Sequence, residues 1–374
     1  MSRATSSFVL WPWFLVRPWS VLGPLVLRPD VRTKNGPRTK NGPRTKYEVP
    51  GTGASVPRAA LALACLLVAS SAVAGERYAL IVTGASAGEP YTAKYTKWRD
   101  SLLSTLRERF GYTQDRLFVL SEEESNGAQK ATREGVRRVL GNLARRMTAD
   151  DQLLVLLVGH GTSLGGDEAK FNLVGPDLSA SAWADLVKPI AGRLVFVNAT
   201  GASFPFLRAL AGRRRVIITA TDSAGQQFET VFPEYFVKAF DDAAADVDKN
   251  GRVSIWEAFA YASAGVRNWF EQRGQLPTER PLLDDTGAGI GREAGTPGTD
   301  GAVARVTYVD PDAPLVLPSD SATAALVRRR ADVERRLDEL RARKETMAPD
   351  QYDAELEKLL LELARLSAQI RAKT

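Results

Sequence analysis

The chain has a single cysteine, Cys65, among its 374 residues. That residue sits in an apolar run that reads as a removable leader, so the mature protein is expected to have no disulfide, no thiolate metal ligand and no cysteine nucleophile. An excess of one charge is missing as well. The formal net charge is +6, yet ten of the 50 basic residues lie within 1–75 beside only Asp30 and Glu48, leaving 40 basic against 42 acidic groups from residue 76 onward. The basicity belongs to the leader, and the rest of the chain offers no electrostatic footprint for nucleic acid. Long apolar runs are absent too. The best candidate, Ala59 to Ala69, falls short of the ~20 apolar residues that a spanning helix needs, which argues against a transmembrane span. With 44% hydrophobic and 25% charged residues, what remains is the composition of a soluble globular chain of one large or two ordinary domains.

Residues 56–75 carry the marks of a secretory signal peptide: Arg58, the apolar run, then Ala72-Val73-Ala74 as a small-residue cleavage signature. This predicts export to the periplasm or the extracellular space. Residues 1–55 contain RTKNGP twice in tandem, Arg32–Pro37 and Arg38–Pro43, beside a Trp/Pro-rich stretch with no core-forming pattern. They read as an extension upstream of a true translation start near Val56.

From Glu76 short apolar runs alternate with longer amphipathic ones. Strands are expected at Tyr78–Thr83, Leu117–Leu120, Leu153–Val158, Leu194–Val197 and Val216–Thr221, and helices at Ala93–Arg109, Lys130–Met147, Ala180–Ile190 and Phe204–Leu210. Near-continuous apolar strands separated by helices predict a doubly wound, mainly parallel α/β domain over residues 76–245. Ligand sites in such sheets lie beyond the carboxyl ends of the strands. There the chain places Gly159-His160-Gly161, Asn198-Ala199-Thr200 and Thr221-Asp222-Ser223, and His160 is its only histidine.

An apolar strand ending in His-Gly, followed 40 residues later by LVFVNATGAS (Leu194 to Ser203), resembles the caspase/legumain-type cysteine peptidases over roughly residues 77–272. The resemblance implies a three-layer α/β/α fold in which His160 is the dyad histidine and Thr200 stands at the cysteine position. It places substrate-contacting loops at Gly225 to Glu229. A thiol is an intrinsically good nucleophile, whereas a hydroxyl needs a general base aligned on it throughout the attack. The dyad therefore reads as dismantled, with Ser203, at an expected helix N-cap, as the fallback nucleophile.

DVDKNGRVSIWE, Asp246 to Glu257, matches an EF-hand calcium loop. Calcium takes six to eight hard oxygens, and the loop supplies them from Asp246, Asp248, Asn250, the carbonyl of Arg252, Ser254 and a bidentate Glu257. Gly251 allows the sharp turn and Val253 is the apolar anchor, with helices expected on both flanks and the second one ending by residue 272. A further acidic run, Leu283 to Gly289, reads as a flexible turn within a loop-rich linker, 273–320, that also holds an expected strand at Val303–Val309. Residues 321–374 carry two leucine stripes separated by Pro349 and predict an antiparallel helical hairpin fit for self-association.

Three functions compete on these grounds. The first is an exported, calcium-binding pseudopeptidase that acts on a protein or peptide partner by binding it. The second is a hydrolase of the same fold that uses the Thr200 or Ser203 hydroxyl with His160. The third is a structural envelope protein assembled through the hairpin.

Overall fold

The computed structural model describes residues 75–124, 127–164, 168–312, 317–342, 344 and 347–373. These fall in one unit, Val68–Thr374; the readings made for residues 1–74 lie outside the described residues. The elements run in chain order as β1 (Arg77–Thr83), α1 (Glu89–Ser104), β2 (Leu117–Ser121), β3 (Gln129–Lys130), α2 (Arg133–Arg146), β4 (Gln152–Val158), β5 (Gly161–Ser163), β6 (Ala169–Phe171), β7 (Leu178–Ser179) and α3 (Ala180–Val187). They continue as β8 (Arg193–Asn198), α4 (Phe204–Leu210), β9 (Arg215–Thr219), α5 (Phe232–Ala239), α6 (Ile255–Glu271), β10 (Leu282–Asp284), α7 (Ala302–Arg305), α8 (Ser321–Ala342) and α9 (Pro349–Arg371).

Among the described residues seven strands form one sheet in the order β10-β9-β8-β4-β1-β2-β3, parallel except for β10, which runs antiparallel to β9. Every side chain of β4 is buried, so the alternation of an exposed sheet is lost there and the run is apolar throughout. Successive residues still point to opposite faces. Ala79, Ile81, Leu154 and Leu156 enter one core with α1, α5 and α6. Tyr78, Leu80, Leu153 and Val155 enter the other with α2, α3 and α4. The fold is thus the expected doubly wound α/β architecture with a layer of helices on each face. From β1 the chain steps first to β2 on one side and later to β4 on the other, so the topological switch point lies between the carboxyl ends of β1 and β4.

Local chemistry sets the boundaries that periodicity alone blurs. The helix expected from Lys130 starts at Arg133, because Gln129–Lys130 pair with β2 and the Thr132 hydroxyl caps Gly135 N at 3.1 Å. The helix expected to reach Arg109 gives way to a π-helical turn over Thr105–Arg109.

Two expectations for the linker fail. The Val303–Val309 strand is instead the short helix α7 followed by a strap, residues 306–312. Asp285 starts the helix by accepting from the amides of Gly301, Val303 and Ala304, each at 2.8 Å. The acidic run is no flexible turn either: Asp284 is buried and accepts from Thr286, Gly287 and Gly289 amides at 2.7 to 3.0 Å. The linker therefore adds a strand, a helix and buried carboxylates to the body.

The strap crosses the amino ends of three strands. Gln152 of β4 donates to Tyr308 O at 2.8 Å, Arg193 of β8 to Thr307 Oγ1 at 3.2 Å, and Arg77 of β1 pairs with Asp312 at 2.9 Å. Helices α8 and α9 form the expected hairpin around a small core of their own, made by Val333, Leu337, Leu340, Tyr352, Leu359 and Leu366. No helix among the described residues is long and apolar enough to cross a membrane.

Candidate functional site

His160 lies at the switch point. Gly159, with φ of 150°, turns the chain out of β4, a conformation that glycine adopts without strain, and the imidazole projects toward the β1–α1 loop. Its Nε2 is 3.0 Å from the Ser86 carbonyl oxygen and 3.3 Å from the Tyr95 hydroxyl. A carbonyl can only accept, so Nε2 carries the proton and donates to Ser86. Tyr91 meets the ring edge-on at 4.8 Å. Burial pushes the Tyr95 phenol well above its ordinary value, and Glu229 adds to the effect, so the hydroxyl stays neutral beside the histidine.

The Thr200 hydroxyl bonds to groups other than His160. It is completely buried and sits 2.8 Å from Asn198 Oδ1 and 3.0 Å from the Gly201 carbonyl. Both are acceptors, so the Thr200 proton is held away from any base. Ser203 is equally buried. It stands at the N-cap position of α4 without making the cap bond; its hydroxyl lies 3.1 Å from Thr221 Oγ1 and accepts from Thr221 N at 3.1 Å. Among the described residues the bonds of both hydroxyls go to Asn198, Gly201 and Thr221, while His160 bonds to Ser86 and Tyr95.

The loop after β9 closes over this ground. Gln227 Nε2 donates to Ser163 O at 2.9 Å, Thr230 Oγ1 donates to Ala199 O at 2.5 Å, and Ala202 N donates to Gln226 O. A Cβ added to Gly201 would lie 2.7 Å from Phe228 O, and one added to Gly161 only 2.1 Å from Gly201 O. Three chain segments are thus stacked at glycine contact, with Thr200 enclosed between them.

The acidic loop lies at the opposite end of the sheet, where the strap runs. Carboxylate oxygens of Asp246, Asp248 and Glu257 come within 4.8 Å of one another. Asn250 N donates to Asp246 Oδ1 at 3.1 Å and to Asp248 Oδ1 at 3.0 Å; Gly251 N donates to Asp246 Oδ2 at 3.0 Å. Gly251 and Lys249 have φ of 85° and 59°. Burial raises the Asp248 carboxyl, with Glu257 and Asp246 adding repulsion, which is the electrostatic situation a divalent cation would relieve. The donors are all hard oxygens, so the set suits calcium.

Glu257 already has work without a metal. Oε2 accepts from Ser254 N at 2.9 Å and Ser254 Oγ at 2.8 Å, and Ser254 Oγ accepts from Glu257 N at 3.2 Å, a complete capping box for α6. Oε1 accepts from Val247 N at 2.9 Å and Asp248 N at 3.2 Å. The flank before the loop is a single 3-10 turn, Ala243–Ala245, where a helix was expected. The strap holds the loop from the other side: Ile255 N donates to Thr307 O at 2.8 Å, Asn250 Nδ2 to Tyr308 Oη at 3.1 Å, and Arg252 pairs with Asp310 at 2.6 Å while lying over the Tyr308 ring.

Sequence reasoning missed Glu279. It is 2% exposed, accepts from Val231 N at 2.8 Å and Phe232 N at 3.1 Å at the start of α5, and lines two clefts of about 510 and 520 Å³. Burial holds its carboxyl up at about 7 against the pull of both amides, and Asp300 is likewise pushed up to about 6 by burial. Carboxyls that keep their proton longer in the folded than in the unfolded chain contribute stability at low pH and lose it as pH rises through the folded pKa. Unfolding free energy should therefore fall between about pH 4.5 and 7 and level off above. Urea titrations across that range test this, and Glu279→Gln should remove most of the slope; an unchanged slope would exclude Glu279 as its source.

No protein-family model matches the chain, and no curated protein matches it. Among solved structures, the Drosophila initiator caspase Dronc is similar at 12% identity, covering 63% of this chain and 83% of Dronc, with a TM-score of 0.40. A secreted C11 cysteine protease from Bacteroides thetaiotaomicron, iotapain, is similar at 11% identity, covering 57% of this chain and 67% of the protease, with a TM-score of 0.36.

Proposed function

We propose that this chain is an exported, calcium-binding pseudopeptidase on a caspase/legumain-like scaffold, which works by binding a protein or peptide partner. The enclosure of Thr200 carries the reading. A nucleophile must reach within roughly 3 to 3.5 Å of the scissile carbon, and here the hydroxyl is fully buried, turned onto Asn198 and Gly201, and roofed by the Gln226–Phe228 segment. His160, at the position where the scaffold resemblance puts the dyad histidine, is fastened to Ser86 and Tyr95 instead.

Two features support binding without cleavage. Leu164 is 93% exposed and Phe228 74% exposed, and each lies one residue beyond the bonded pair Ser163 and Gln227. Together they put apolar contact area beside the strand ends, suited to an extended peptide. The converging oxygens of Asp246, Asp248 and Glu257 support calcium, with Asn250, the Arg252 carbonyl and Ser254 as the further ligands that the loop pattern supplies. The Ser254 hydroxyl, which donates to Glu257, steadies that ligand.

The test is turnover. Mature protein incubated with a peptide library, with and without calcium, should show no cleavage above a heat-denatured control, and Thr200→Cys should restore little. A rate in the wild-type protein that disappears both with Thr200→Ala or Ser203→Ala and with His160→Ala would overturn the reading in favour of a hydroxyl hydrolase.

A further inference from the structure

Gly75 and Glu76 directly follow the Ala72-Val73-Ala74 signature, and both are fastened to the body. Glu76 N donates to Asp151 Oδ1 at 2.7 Å, Glu76 O accepts from Gln152 N at 2.9 Å, and its carboxylate pairs with Arg116 at 2.5 Å. Gly75 lies against the Asp150–Asp151 peptide so closely that a Cβ would fall 1.7 Å from Asp150 O. Only glycine fits there.

Asp151 is 5% exposed. Its carboxylate accepts from Glu76 N, from Thr148 N at 2.6 Å and from Thr148 Oγ1 at 3.0 Å, all uncharged donors, and among the described residues it forms no ion pair. Such a carboxylate is a ready partner for an opposite charge brought within ~4–6 Å.

We propose that the leader is cut at the Ala74–Gly75 bond and that the ammonium formed there is the counter-ion of Asp151. The proposal rests on the export reading of residues 56–74. In the cut, which a leader peptidase of the host catalyses, the oxygen of water bonds to the Ala74 carbonyl carbon and the bond to the Gly75 nitrogen breaks. Ala74 leaves with the leader as a carboxylate, and the Gly75 nitrogen takes up a proton. That nitrogen is one residue from the Glu76 amide, so it lies within roughly 6 Å of the Asp151 carboxylate. Processing then stabilises the fold it releases. Glycine at the first position answers two demands at once, the small residues of the cleavage signature and the contact with Asp150.

Intact mass of protein secreted by a bacterial host gives the first readout, a chain beginning at Gly75. The second compares urea unfolding of the Gly75-start chain with one that keeps Ala72-Val73-Ala74 ahead of it. At pH 7 the extended form should unfold with an equilibrium constant on the order of five-fold larger, the scale of a partly exposed ion pair. Nα-acetylation of Gly75 should reproduce that loss, and Asp151→Asn should erase the difference between the two forms. The difference should also fade above about pH 8, where the α-amino group loses its proton. Glu76, Arg116, Arg146, Tyr78 and Asp150 share this corner and are common to both forms.

A chain that keeps residues before 75 defeats the export reading and the proposal together. A chain cut at Gly75 whose stability is indifferent to acetylation defeats the ion pair alone, and export stands.

Discussion

Ten millimolar calcium should raise the melting temperature of the mature chain by several degrees, and Glu257→Gln should abolish the rise. Extracellular calcium modules bind with Kd near 10⁻⁴ to 10⁻³ M, so ligand at 10 to 100 times Kd would add about 1.4 to 2.7 kcal/mol to the folded state, or roughly 3 to 11 °C for a domain of this size. Glutamine suits the test because it can still serve a capping box; its carbonyl can accept from Ser254 N as Glu257 Oε2 does. Its amide nitrogen would face the Val247 and Asp248 N–H groups that now bond Oε1, which should cost ~1 kcal/mol of metal-free stability. The variant should therefore fold, melt somewhat lower and ignore calcium. Tyr308→Phe should weaken affinity by up to ~10-fold, because the hydroxyl orients Asn250 from outside the ligand set. Absence of both a binding heat and a melting shift in the wild-type protein at that concentration would show that the loop is held by the strap and capping box alone.

The second large effect is expected at Gly161. A methyl group there would lie 2.1 Å from Gly201 O and 2.7 Å from Thr200 Oγ1, against backbone that the Gln227–Phe228 segment supports from behind. Nothing in that stack ends in a flexible side chain that could swing away. Gly161→Ala should thus destabilise by ~3 kcal/mol and lower the melting temperature by roughly 6 to 12 °C. Gly225→Ala is the matched control, since its Cβ would meet only Ser223 Oγ at an ordinary 3.4 Å. Equal melting temperatures for the two variants would mean that the Thr200 enclosure is loose enough to open, and the case against catalysis would lose its footing.

The sequence by itself determined the parts whose signal is repeated along a stretch of chain. Apolar runs such as Leu153–Val158 separated by amphipathic segments dictated a parallel sheet with helices on both faces, because only that arrangement buries both sides of such strands. A glycine on each side of His160 fixed a strand-end turn, and the spacing of oxygen-bearing side chains from Asp246 to Glu257 marked the acidic loop. The leucine stripes of 321–374 encoded a hairpin with its own small core.

Only the tertiary structure decided what depends on a distant partner. Val303 to Val309 is rich in the β-branched residues of a strand, yet Asp285, earlier in the chain, caps the amides of Gly301, Val303 and Ala304 and starts a helix. Leu282–Asp284 is too short to announce itself and becomes the edge strand because β9 offers it a partner. The resemblance to caspase/legumain-type peptidases set Thr200 opposite His160. Their hydrogen bonds go to acceptors the linear pattern does not reveal, Asn198 Oδ1 and Gly201 O for one and Ser86 O for the other. Glu279 and Asp151 look like ordinary surface acids in the sequence; burial beside backbone amides makes one hold its proton to about pH 7 and leaves the other buried with only uncharged donors. Periodicity records which face of a segment is apolar, whereas hydrogen-bond partners and buried charges are set by which segments meet, and that is fixed only when the whole chain has folded.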